Sequence, residues 1–280
     1  MKRILITGSN SYIGKEFKRW IETFYSNEYE VKTISLRDKD WEKVDFSQFS
    51  VIYHTVGIAH RKQKKNDLNM YYKINRDLPY QVAFKAKNEG VKQFVFLSSM
   101  SVYGIDEGHI SQESVPNPTS FYGKSKLEAD QLLGRLDSED FSVAIVRPPM
   151  VYGKGCTGNY AKLSKLAKVS PIFPLIENKR SMISIENLSS FIKLIIDNEC
   201  KGIFHPQNNE YVCTSEMVRM IAEQQGKNLK LTRMFNPLIK MLNISIVKKL
   251  FGELVYAKQL SHQEGYQPIS LEASIKLAEK

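Results

Sequence analysis

The chain has 280 residues, 42% of them apolar and 25% charged, enough apolar material for one large domain or two smaller ones and too much for a disordered chain. No stretch approaches the ~20 apolar residues that span a bilayer, and Met1-Lys2-Arg3 with the short apolar run behind it reads as a first strand, not a secretory signal. A formal net charge of +10 points to an anionic partner, while Cys156, Cys200 and Cys213, odd in number and widely spaced, argue against a disulfide framework and for a reducing cytoplasm.

In chain order, Arg3 to Thr7 is a short apolar strand ending in Gly8. Ser9 to Gly14 lead into a helical stretch, Lys15 to Tyr25. Strand, glycine turn and helix open a nucleotide-binding βαβ unit. The turn's amides and the helix N-terminus converge on one spot and favour a pyrophosphate there. Gly8 permits the tight turn and Gly14 the close packing of helix on strand; Ser11 stands where a middle glycine is usual. Val31 to Leu36 reads as the second strand. Dinucleotide sites that prefer NAD(H) usually carry an acid at the end of this strand for the ribose 2′-hydroxyl. Ser35-Leu36-Arg37 offers a small hydroxyl and a base instead, which suits a 2′-phosphate and tilts the expectation toward NADP(H), the alternative being an Arg37 that is merely exposed.

Val51 to Gly57 is an apolar run that reads as a buried parallel strand, with His54 a packed or hydrogen-bonded residue on it. His60, beyond its end, is a candidate to face a substrate. The densest basic run, Arg61-Lys62-Gln63-Lys64-Lys65, reads as a solvated loop: no aromatic platform interleaves it and no nucleic-acid recognition motif is present. A helical segment from about Asn69 to Asn88, interrupted near Pro79, contains Asn75, whose plain role is a local backbone hydrogen bond. Gln93 to Leu97 is a clear strand ending in Ser98-Ser99, followed by Met100-Ser101-Val102-Tyr103-Gly104. Ligands of open α/β sheets sit at the carboxyl ends of strands, so these hydroxyls can meet a ligand or merely cap a turn.

Tyr122 and Lys126 lie four residues apart, on one face of a helix. Of 14 tyrosines only Tyr122 has a lysine at the fourth following position. A neighbouring ammonium favours the phenolate and lowers a phenol's pKa toward the working range of proton-transfer catalysis. A solvated helix pair is the alternative in so lysine-rich a chain. Ser142 to Val146 is the next strand, ending in Arg147-Pro148-Pro149-Met150-Val151-Tyr152-Gly153, where two prolines lock an extended loop.

The irregular run Lys154 to Asn159 marks a change of domain. Residues 1–155 read as a dinucleotide-binding domain to which about 183–206 return, and 156–182 with 207–280 as a substrate-binding domain. Beyond it, Met182 to Ile185 reads as a strand, Glu186 to Asn198 as a helix and Gly202 to His205 as a short strand. Thr214 to about Gln225 reads as a helix with a hydroxyl in capping position. Asn236 to Phe251 carries an apolar stripe among lysines; packing on its own domain is favoured over binding to a membrane surface.

Taken together these residues resemble the extended short-chain dehydrogenase/reductase family of nucleotide-sugar epimerases, dehydratases and reductases. The match lies in Thr7-Gly8 through Gly14, Phe96 to Gly104, Tyr122 with Lys126, Arg147 to Gly153, and Arg180-Ser181 ahead of a strand and Glu186-Asn187-Leu188. It runs over about residues 1–210. Within the family the chain looks most like bacterial surface-polysaccharide enzymes that reduce a UDP-4-keto-6-deoxy-N-acetylhexosamine. The resemblance implies an α/β Rossmann fold, a doubly wound parallel sheet with a smaller, mostly helical C-terminal substrate domain. It implies NADP(H) or NAD(H) as cofactor, a UDP-sugar substrate, no metal, and allows a homodimer through the helices flanking the sheet. Tyr122 becomes the proton donor or acceptor for the sugar oxygen. Lys126 holds the nicotinamide ribose and lowers the tyrosine pKa, and Ser99 bonds the reacting oxygen. The cofactor side takes Gly8, Asn10, Tyr12, Ile13, Gly14, Arg37, Thr55, Val56, Gly57, Asn75 and Pro148, with Asn75 supporting the fold behind the site. The substrate side takes His60, Ser101, Tyr103, Asn159 and Arg180, the last two toward the diphosphate. A UDP-sugar 4-epimerase that retains its NAD needs the same triad, and an idle dinucleotide-binding module is a third option.

Overall fold

The computed structural model describes residues 1–59, 67–234, 236–241 and 245–280. In chain order the strands are β1 (Lys2–Thr7), β2 (Tyr29–Ile34), β3 (Val51–His54), β4 (Gln93–Leu97), β5 (Gly108–Ile110), β6 (Ser142–Val146), β7 (Met150–Tyr152), β8 (Ile172–Pro174), β9 (Met182–Ser184), β10 (Gly202–Phe204), β11 (Lys230–Thr232) and β12 (Leu254–Tyr256). The helices are α1 (Tyr12–Phe24), α2 (Leu68–Tyr72), α3 (Leu78–Asn88), α4 (Phe121–Gly134), α5 (Asn159–Val169), α6 (Ile185–Asp197), α7 (Thr214–Gln224), α8 (Asn236–Met241), α9 (Ser245–Phe251), α10 (Lys258–Ser261) and α11 (Leu271–Ala278).

Two compact units share the chain. The first comprises Met1–Gly104, Val115–Pro148 and Ser189–Pro206; the second comprises Ile105–Ser114, Pro149–Leu188 and Gln207–Lys280. The first is built on a six-stranded sheet in the order β2-β1-β3-β4-β6-β10, parallel throughout. Every residue of β3 and β4 is buried, as their unbroken apolar runs require of strands covered on both faces. Phe94, Phe96, Ile52, Leu5 and Val143 pack with Val82, Ala83, Ala86, Ala129 and Leu133, in a cluster whose described buried residues include five phenylalanines. After β1 the chain crosses to β2 on one side and then to β3 on the other. That reversal between β1 and β3 is the switch point at which ligands of such sheets bind.

Helix α1 begins at Tyr12, three residues earlier than its sequence pattern suggests, because Ser11 caps it: the Ser11 hydroxyl accepts from the Gly14 amide at 3.3 Å. Such a cap contributes about 1 kcal/mol. The break expected near Pro79 falls just before it, as a π-helical turn over Lys73–Asp77 in which the Leu78 amide reaches back to the Lys73 carbonyl. Pro79 has no amide to offer Asn75 four residues back, so the turn widens there instead of ending the helix.

The second unit contains three short parallel pairs, β5 with β12, β7 with β9 and β8 with β11. Helix α11 is tied into it by side chains: Tyr152 and Ser274 share a hydrogen bond of 2.6 Å, Tyr160 donates to Glu279 at 2.6 Å and Gln225 donates to Glu279 at 2.7 Å. One sequence expectation changes in this unit. The capping residue of α7 is Cys213, and Thr214 donates its hydroxyl to the Leu250 carbonyl at 2.6 Å, a tertiary bond that displaces the cap. The stripe from Asn236 to Phe251 contains the helices α8 and α9.

Candidate active site

Helix α4 starts where Ser120 accepts from the Gly123 amide at 3.0 Å, which puts Tyr122 in its first turn and Lys126 one turn on. Gly123 lets the helix approach the 3₁₀ turn Met100–Tyr103, since a Cβ there would lie 2.5 Å from the Ser101 carbonyl oxygen. Ser99 caps that turn, its hydroxyl accepting from the Ser101 amide at 3.1 Å and lying 3.2 Å from the Ser101 hydroxyl. The Tyr122 phenol is hydrogen-bonded to Ser99. Lys126 is buried, donates to the Leu97 carbonyl at 2.8 Å and lies 4.3 Å from the Phe96 ring centroid. The end of β4 thus brings Ser99, Tyr122 and Lys126 together.

The electrostatics differ from the sequence expectation. The Tyr122 pKa is raised, chiefly by burial; the bond to Ser99 opposes this and Asp130 and Tyr71 add to it. Lys126 is itself pulled down to about 8 by burial, with Asp130 opposing. In a water-poor site desolvation penalises phenolate and ammonium alike, so the lysine does not make the phenol a stronger acid here.

Asp130 and His205, which motif reasoning passed over, join Arg147 and Tyr103 in a buried network beside this triad. Arg147 donates to Asp130 at 2.9 Å and to the Tyr103 hydroxyl at 3.1 Å, and Tyr103 shares a 2.7 Å hydrogen bond with Nε2 of His205. Burial pushes the Asp130 carboxyl up to about 6 against the pull of Arg147, and lowers His205 to about 4. Tyr103 was expected to face substrate; its hydroxyl is buried and bonded to Arg147 and His205. An acid eight residues past Tyr122 and an arginine opening the Pro-Pro loop were the available signals.

On the cofactor side, Gly8 has φ +116°, and a Cβ on Gly8 or Gly14 would come within 2.9 or 2.8 Å of the Thr55 hydroxyl. Both glycines therefore let the β1–α1 turn seat against the end of β3. Thr55 is buried and donates to the Thr7 carbonyl at 3.1 Å, and Thr7 shares a 2.8 Å hydrogen bond with the buried His54, whose imidazole burial keeps neutral. Gly57 is exposed; a Cβ there would stand 3.3 Å from Asn75 Oδ1 and 3.4 Å from Lys126 Nζ. Its bare backbone leaves open the space between the end of β3 and Lys126, as a bound dinucleotide requires. Val56 is half-buried, Pro148 is buried and accepts from the Met100 amide at 2.9 Å, and Asn10, Tyr12 and Ile13 surround the start of α1.

Asn75 is fully buried in the π-helical turn. It accepts from the Ile58 amide at 2.9 Å and donates to the Ile58 carbonyl and the Ser125 hydroxyl, each at 3.1 Å. These bonds are not local: they hold the loop after β3 to α4. Arg37 is exposed beyond β2, its amide donating to the Ser35 hydroxyl at 3.2 Å. These residues fit a dinucleotide laid across the switch point.

In the second unit Asn159 is exposed at the start of α5, while Arg180 donates to the Gly252 carbonyl at 2.7 Å and the Lys248 carbonyl at 3.4 Å. His60 and the basic run after it lie outside the described residues. Among the described residues no group of His, Cys, Asp and Glu could hold a metal ion, and no helix is long and apolar enough to cross a membrane.

Comparison with known proteins completes the picture. A UDP-glucose 4-epimerase of Vibrio cholerae is 31% identical over 250 residues, covering 79% of this chain and 75% of the relative. A UDP-glucuronic acid 4-epimerase from Bacillus cereus, solved with NAD, superposes with a TM-score of 0.73 at 18% identity, covering 99% of this chain and 97% of that one. A dTDP-4-dehydrorhamnose reductase from Bacillus anthracis, solved with NADP, gives 0.72 at 19% identity, covering 99% and 98%. The model of the NAD dependent epimerase/dehydratase family matches residues 4–198, and the chain belongs to that family of NAD(P)-dependent enzymes of sugar nucleotides.

Proposed function

We propose that the protein transfers hydride to C4 of a UDP-4-keto-6-deoxy-N-acetylhexosamine, with Tyr122 as the proton donor. The observation that carries this is the Tyr122 phenol bonded to Ser99 one helical turn from Lys126, at the carboxyl end of β4. When bound, the nicotinamide supplies the hydride. Tyr122, held protonated by its surroundings, gives its proton to the carbonyl oxygen as negative charge develops there. Ser99 bonds the same oxygen and stabilises that charge. Lys126 and the start of α1 bind the dinucleotide, and Ser101 lines the sugar side. Asn159 and Arg180 are the second unit's donors for a diphosphate.

Net reduction is favoured by one feature: the end of β2 carries Arg37 where an NAD-preferring site has an acid. The 31% identity to a 4-epimerase supports a second reading, a UDP-sugar 4-epimerase that keeps its NAD. The purified protein decides between them. Consumption of NADPH with a UDP-4-keto sugar establishes the reductase; tightly held NAD, no net consumption and interconversion of 4-epimers establish the epimerase. Dinucleotide binding without either activity would leave only a binding module.

A further inference from the structure

The 3₁₀ turn after β4 is fastened to strands laid down later in the chain. The backbone around Ser99 is held first: the Ser98 amide donates to the Val146 carbonyl at 2.7 Å and the Met100 amide to the Pro148 carbonyl at 2.9 Å. The Ser99 hydroxyl is held separately. It accepts from the Ser101 amide at 3.1 Å and lies 3.2 Å from the Ser101 hydroxyl, so its direction depends on where the rest of the turn sits. The last residue of that turn, Tyr103, sends a buried side chain to the exits of β6 and β10. Arg147 Nη1 donates to its oxygen at 3.1 Å, and the same oxygen lies 2.7 Å from Nε2 of His205. A guanidinium only donates, so the phenol's one hydrogen goes to the imidazole, and Nε2 accepts it. The two anchors are themselves in register, since the Arg147 amide donates to the Phe204 carbonyl at 2.8 Å beside paired β6 and β10. Apolar residues of the same shape could fill this space at little cost in stability, so packing alone does not call for the phenol.

We propose that Tyr103 is a positioning residue: clamped by Arg147 and His205, it fixes the turn whose Ser101 amide directs the Ser99 hydroxyl toward Tyr122. The inference deepens the reading given above, in which Ser99 and Tyr122 serve one oxygen, and it rests on that pairing. His205 is thereby tied to the site through three steps, from imidazole to Tyr103, from Tyr103 along the turn to Ser101, and from Ser101 to Ser99. A neutral acceptor at position 205 is what the clamp needs; the rest of the imidazole is dispensable.

The test reads the Tyr122 phenol directly. Label the purified protein with heavy carbon at the tyrosine Cζ and record NMR spectra of wild type, Ser99→Ala, Tyr103→Phe, His205→Leu and His205→Gln, assigning Tyr122 by the signal missing from Tyr122→Phe. Ser99→Ala should move the Tyr122 signal, because it deletes the bond. Tyr103→Phe and His205→Leu should move it in the same direction, and His205→Gln, whose amide oxygen can accept in place of Nε2, should leave it near wild type. In assays with NADPH and a UDP-4-keto sugar, and for interconversion of UDP-sugar 4-epimers, the same two variants should lose about tenfold in kcat with KM and dinucleotide affinity near wild type, and His205→Gln should retain most of the rate. A merely structural role would lower the melting temperature and leave the Tyr122 signal in place. An unmoved signal in folded Tyr103→Phe overturns the proposal; if that variant does not fold, His205→Leu decides on the same readout. A signal unmoved in Ser99→Ala removes the Ser99–Tyr122 pairing and the inference with it. A wild type that performs neither reaction overturns the proposed function alone, and the Tyr122 signal still decides the role of Tyr103.

Discussion

A phenol kept protonated by its surroundings serves at neutral pH as an acid, and Tyr122 meets that description through burial while Ser99 supplies its hydrogen bond. Tyr122→Phe keeps the ring and removes the proton. It should lower turnover by about 10²–10⁴ while leaving dinucleotide binding near wild type, as stopped-assay rates and a fluorescence titration would show. Survival of turnover would remove Tyr122 from the chemistry. Ser99→Ala should lower kcat about tenfold or more with a smaller effect on cofactor affinity, the result that follows from the role proposed for its hydroxyl toward the reacting oxygen. These two positions were legible in the sequence because a tyrosine with a lysine one helical turn on is rare in this chain and strand-end serines are conspicuous. The roles of Tyr103, Asp130, Arg147 and His205 were not legible. Each belongs to a different element, and only folding joins them. The sign of the Tyr122 shift was missed for a related reason: a sequence shows the neighbouring charge but not how dry the site is.

At the scale of elements, α4 and the 3₁₀ turn after β4 touch through a glycine. Gly123→Ala would drive a methyl to 2.5 Å from the Ser101 carbonyl oxygen, and backbone on both sides must then separate. The helix carries Tyr122 and the turn carries Ser99, so kcat should fall by about 10²-fold for a displacement near 1 Å. A rate within a factor of two of wild type would show that the two elements need not approach so closely. The long strands of the first unit were readable because each carries an apolar run of three or four residues. The strands of the second unit are three residues long, and all but β9 were too short to be read from any period. The Asn75 turn was unreadable in another way, because the missing Pro79 amide could as easily have ended the helix as widened it.

For the whole molecule, two buried groups set opposing responses to acid. The folded His205 pKa of about 4 lies below its ordinary 6.5, so its contribution is present above 6.5 and is lost as pH falls toward 4. The folded Asp130 pKa of about 6 lies above its ordinary 3.8, so its contribution is present below 3.8 and is lost as pH rises through 6. The two largely offset each other between pH 4 and 6. His205→Gln removes one side of the balance. Denaturant melts at pH 4.5 and 7 should then show the variant losing less stability in acid than wild type, by about 2 kcal/mol. Equal pH responses would mean that His205 titrates normally.

The side chains that fasten α11 carry a lesson about inheritance. Ser274 and Glu279 reach Tyr152, Tyr160 and Gln225, partners laid down in the chain fifty to more than a hundred residues earlier. A chain broken off at Ile269 would therefore strip those partners of their bonds. A nonsense mutation at that codon should behave as a null allele.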